Sequence, residues 1–157
     1  MYYEWVKYLH VVSVLTFVAL HGVSMLVLFR IRGERDRKKI QDLLSLSGET
    51  TLPMYLSLGV IIVTGILAGL KFNWFRYWWL WAAIGILVAS VGLMSAVAKP
   101  YFTKVKSACE LRPSGVPRVS DEELGEILGG SSTWTITAIG VGALLVILYL
   151  MVMKPGV

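Results

Sequence analysis

Residues Tyr3–Arg30, YEWVKYLHVVSVLTFVALHGVSMLVLFR, decide how the rest of the chain is read. The stretch is apolar over a length that crosses a bilayer, for which about 20 residues suffice. It also holds both histidines of the protein, His10 and His21. A helix turns by about 100° per residue, so His21 comes back to within roughly 20° of the direction of His10. The two are expected on one face, roughly 16 Å apart along the axis. Tyr3, Lys7, Ser13, Phe17 and Ser24 share that face, and the remainder is mostly Val, Leu and Ala. A polar stripe on an apolar helix is costly against lipid. It is expected to face the inside of a bundle or a bound cofactor.

The rest of the composition agrees with a membrane protein. Of the 157 residues, 56% are hydrophobic and 16% charged, whereas a soluble domain carries about 25% charged residues. The length fits a single membrane domain, residues 1–157. The net charge of +5 does not point to nucleic acid, because the basic residues lie between apolar segments, where membrane topology accounts for them. A single cysteine, Cys109, excludes an internal disulfide. The opening MYYEW has neither a basic n-region nor a small-residue cleavage site, so the first segment reads as a retained span.

In chain order, four spans are expected, at about 3–30, 52–70, 78–99 and 134–153. The fold class is all-α, a polytopic bundle of four transmembrane helices. Between the first two spans, Ile40, Leu43, Leu44 and Leu46 have rough helical spacing and four acids interrupt the basic residues; a solvated connecting helix is favoured over one lying on the membrane. Pro53 suits the first turn of span two. Gly65 and Gly69 form a GxxxG pattern, read as packing within the bundle first and as a homodimer contact second. Pro100 ends or kinks span three, because KPYFTKVKSACE still looks helical. Ser120 and Glu123 make a capping box for a short acidic helix.

Lysines and arginines set the expected orientation. Arg30, Arg32, Arg35, Arg37, Lys38 and Lys39 lie in loop one, and Lys99, Lys104, Lys106, Arg112 and Arg118 in loop three. The positive-inside rule puts both loops, with Cys109, in the cytoplasm of a bacterial cell and both termini outside the inner membrane. Trp5, Trp74, Trp78, Trp79 and Trp81 all fall at the outer end, as an anchoring belt or as a docking surface.

Chemistry rests on few residues. No Asp or Glu lies in the core of a span, which argues against carboxylate-driven transport and aspartic proteolysis. There is no HExxH and no phosphate loop. Histidines on membrane helices serve as axial ligands of b-type haem. Two bis-histidine haems need four histidines, so each iron here would take a Met, Lys, water or a histidine of a second subunit. Met25, Met54 and Met94 are expected at a similar depth to His21. The competing readings are interhelical hydrogen bonding for the histidines and gap filling for the methionines. His with Met also suits copper(I). The expected function is a haem b protein of electron transfer, with His10, His21, Lys7, Met25 and Met94 at the cofactor and His10 and His21 as metal ligands. The alternatives are a non-enzymatic accessory subunit of a larger membrane complex and a copper-handling protein.

The opening W-x-K-x-x-H, formed by Trp5, Lys7 and His10, resembles the start of a group of small bacterial membrane proteins. These include CopD-like copper-resistance proteins, HemJ-type protoporphyrinogen oxidases and a four-helix family known as predicted integral membrane proteins. The span-three stretch RYWWLWAAIGILVASVGLMSAVAKPYF is most similar to the last of these. The HemJ-type resemblance implies a haem role for His10 together with a lysine of a later span. Lys99, at the end of span three, is the lysine available; His21 is outside the motif.

Overall fold

The computed structural model describes residues 2–156. Among them six α-helices follow in order: α1 (Tyr2–Arg32), α2 (Arg37–Glu49), α3 (Thr51–Lys71), α4 (Trp78–Cys109), α5 (Asp121–Gly129) and α6 (Ser132–Met153), with one 3-10 turn at Trp74–Arg76. The fold is all-α. Four helical segments among the described residues are long and apolar enough to cross a membrane, built on α1, α2–α3, α4 and α5–α6. α1 packs along α3 and α4 along α6; the pairs meet on a narrow α1–α6 seam and through α2 and α5. Within the most apolar window of each segment only 11–17% of residues are buried by the chain itself. Leu15, Val63, Val88 and Leu145 are among the side chains left outward. With the backbone groups inside these helices bonded along the helix, save where Pro100 lacks an N–H, lipid can cover such surfaces at little cost.

At the end where the basic loops lie, the helices share one apolar core. Val27, Leu28 and Ile31 of α1, Ile40 of α2, Ala98, Tyr101, Val105 and Cys109 of α4, Leu124 and Leu128 of α5 and Ile136 of α6 close it. Asp36 caps α2 by accepting from the backbone N–H groups of Lys38 and Lys39. Just before it, Glu34 accepts from the N–H groups of Asp36 and Arg35, which holds its carboxyl below the usual carboxylate range. α2 is more than a solvated connector: Ile40 is fully buried and Leu43 and Leu44 pack on the core, while Leu46 is exposed and does not belong to that face.

Arg37 holds this end together. Its guanidinium donates to the carbonyl oxygens of Ala108 (2.6 Å) and Val119 (2.9 Å) and to Asp121 Oδ1 (2.7 Å), so one side chain spans α2, the end of α4 and the start of α5. α4 does not stop at Pro100. It continues to Cys109, and its 32 residues extend about 48 Å, well past a hydrocarbon core of about 30 Å. Cys109 is therefore the last residue of a helix, buried under α2, where Gln41 donates to its carbonyl at 2.9 Å; it is not a loop thiol. The loop that follows folds back on itself through an antiparallel bridge between Leu111 and Pro117, with Gly115 at φ +77° in the turn. Ser120 then caps α5, its side chain accepting from Glu123 N–H at 3.1 Å.

The opposite end is joined by aromatic rings. Tyr3 of α1 meets Phe72 edge-on at 4.7 Å, Phe72 stacks on Trp74, and Trp74 meets Trp79 of α4. Lys154, just past α6, places its ammonium 4.2 Å from the Trp74 ring centre. Trp5, Trp78 and Trp81 are exposed as a belt requires, but Trp79 is fully buried beside Leu80, Ala83 and Leu150. Its role is core packing rather than anchoring. Gly69 makes room for Phe75, whose ring lies 2.8 Å from where a Cβ would be, and Gly65 faces His10. The GxxxG pattern is thus spent inside the chain.

Candidate functional site: the two histidines of the first helix

His10 and His21 leave α1 in nearly the same direction, yet they enter different interfaces. His10 sits between α1 and α3, with Nδ1 2.9 Å from Thr64 Oγ1. Thr64 Oγ1 is itself 2.6 Å from the carbonyl oxygen of Val60, which takes its proton. The hydroxyl therefore accepts from His10, which carries its proton on Nδ1 and keeps Nε2 as the free lone pair. The absent side chain of Gly65 lets the ring approach, with Cε1 3.5 Å from the position a Cβ would take.

His21 lies on the α1–α6 seam. Its Nε2 is 2.8 Å from where a Cβ would stand on Gly140, so only glycine fits there. Phe17, one turn earlier, stacks on the imidazole at 5.8 Å and 10° and fixes its plane. Met94 of α4 closes the other side, its Cε 3.6 Å from the same point on Gly140. His21, Met25 and Met94 line one cavity of about 40 Å³, together with Ser24 and Thr137.

The remaining candidates are elsewhere. Lys7 is exposed and pairs with Glu4 at 3.4 Å. Lys99 is exposed on α4, and Met54 does not line the cavity. Of the other residues of the polar stripe, Tyr3 meets Phe72, Phe17 stacks on His21 and Ser24 accepts from Ser47 at 3.0 Å. No group of three or more His, Cys, Asp or Glu side chains able to hold a metal occurs among the described residues. Thr64 and Gly140, which govern the two histidines, carry only a faint sequence signal, namely a hydroxyl and a glycine inside apolar spans.

The packing distinguishes the two histidines as haem ligands. At His21 a space of about 40 Å³ is far below the several hundred Å³ that an organic cofactor needs. A porphyrin does not fit this seam. At His10 the tautomer is the one a ligand needs, with the second nitrogen held by a neighbouring oxygen. No family model, no curated protein and no solved structure matches the chain.

Proposed function

We propose that the protein is a multi-pass component of the bacterial inner membrane, both termini outside, that acts as a non-enzymatic subunit packed in a larger membrane complex. The observation that carries this reading is that each histidine already serves a contact between helices: His10 ties α1 to α3 through Thr64, with its Nε2 left unused. His21 is likewise seated in a helix contact, against Gly140. The orientation is supported by the gathering of basic residues at one end, in loops one and three.

A second reading has its own support. The free Nε2 of His10 and the W-x-K-x-x-H resemblance favour a b-type haem and electron transfer. The two readings separate in one preparation. Protein purified in mild detergent from haem-replete cells is expected to be colourless in a reduced-minus-oxidised spectrum and to elute with other membrane proteins at a mass well above its own 17.4 kDa. A b-type band that His10→Ala abolishes would replace the subunit reading with the haem one. A colourless protein that elutes alone would defeat both.

A further inference from the structure

Within the spans, His21 is the imidazole with nothing to bind. His10 has Thr64, whereas no hydrogen bond reaches either ring nitrogen of His21 among the described residues. An imidazole carries one donor and one acceptor when neutral, and leaving both unpaired away from water is costly. What faces it instead is the cavity it shares with two thioethers. Met25 lies one turn further along the same face of α1, and Met94 comes from α4. The space, about 40 Å³, admits a bare ion or a few waters.

The donors select the ion. Two thioether sulfurs are soft and imidazole is borderline, a set that suits copper(I) and not magnesium or calcium; the hydroxyls of Ser24 and Thr137 also line the cavity but are engaged with Ser47 and the Thr133 carbonyl. No carboxylate or thiolate lines the cavity, so a divalent ion would bring two uncompensated charges into the membrane interior. A monovalent ion brings one. The stacked Phe17 and the close seat against Gly140 keep the imidazole in place without using a hydrogen bond. We infer that His21, Met25 and Met94 form a site for one soft monovalent cation of the copper(I) class, held where α1, α4 and α6 meet. This does not depend on the role of His10.

The test is an anaerobic titration of the purified full-length protein with copper(I), in competition with a chromophoric copper(I) chelator. One equivalent is expected. Met25→Leu and Met94→Leu conserve volume, so the fold is expected to persist. Each is expected to weaken binding at least tenfold and the pair at least a hundredfold, while His10→Ala leaves it unchanged. X-ray absorption of the loaded wild type is expected to show sulfur and imidazole nitrogen around the metal. No stoichiometric uptake, equal uptake by the double variant, or a metal shell without sulfur would each overturn the site. The last reading needs no variant to fold.

Discussion

A methyl group at position 140 would meet His21 Nε2 at 2.8 Å, and the ring cannot swing away freely because Phe17 is stacked on it. Gly140→Ala is therefore expected to cost about 1–3 kcal/mol by overpacking. Gly142, two residues on, has nothing within 4 Å of the same position. Gly142→Ala is expected to be neutral or to gain up to about 1 kcal/mol of helix propensity. Thermal unfolding of the two variants in one detergent gives the comparison, and equal midpoints would refute the seat assigned to His21. Thr64→Val keeps the shape and removes the acceptor of His10. It is expected to cost about 0.6–2 kcal/mol, whereas Thr64→Ser should recover most of that stability. The histidines show how far the sequence could be read. Their shared phase on α1 follows from spacing, but phase does not say which neighbour lies alongside. α3 covers α1 at the depth of His10 and α6 at the depth of His21, and only the packing reveals that.

Helix ends were legible where local chemistry sets them. Ser120 caps α5 and Pro53 falls in the first turn of α3, whereas Thr50 keeps helical backbone angles and its side chain caps nothing. Pro100 could be read as a stop or a kink, and α4 passes through it. The missing N–H costs one bond, and Ala98, Tyr101 and Val105 beyond and before it gain a place in the core. Such an outcome depends on tertiary burial that no window of sequence contains. The burial of Cys109 and Ile40 has the same origin. Arg37 is the element-scale weak point. Lysine cannot reproduce a fork that reaches two carbonyls and a carboxylate. Arg37→Lys is expected to lower stability by on the order of 2 kcal/mol, allowing for the exposed Asp121 partner. The first sign should be faster protease cleavage between residues 111 and 119; an unchanged cleavage rate would remove Arg37 as the latch.

For the whole molecule, the number and rough limits of the spans could be read from hydropathy alone, because the bilayer imposes length and composition directly. The way the pairs join could not, because it is decided by a few buried contacts. Orientation is open to a direct measurement. Native Cys109 is 1% exposed and should react slowly with maleimides even in opened membranes. Ser114, exposed in the loop after α4, offers a better reporter. In a Cys109→Ala background, Ser114→Cys is expected to be unlabelled by an impermeant maleimide in spheroplasts and labelled once they are lysed. Labelling of intact spheroplasts would invert the topology. The core at the basic end also imposes an order on biosynthesis. Its members run from Val27 to Ile136, and α5 and the start of α6 are its last parts to be made. At about 5–20 residues per second, the chain waits seconds between completing α4 and supplying Leu124, Leu128 and Ile136. During that interval Ile40, Val105 and Cys109 lack the part of their cover that α5 and α6 supply. A chain that ends at residue 120 is then a permanently unfinished intermediate: α2 still lies over Cys109, but its thiol should react faster than in the complete chain.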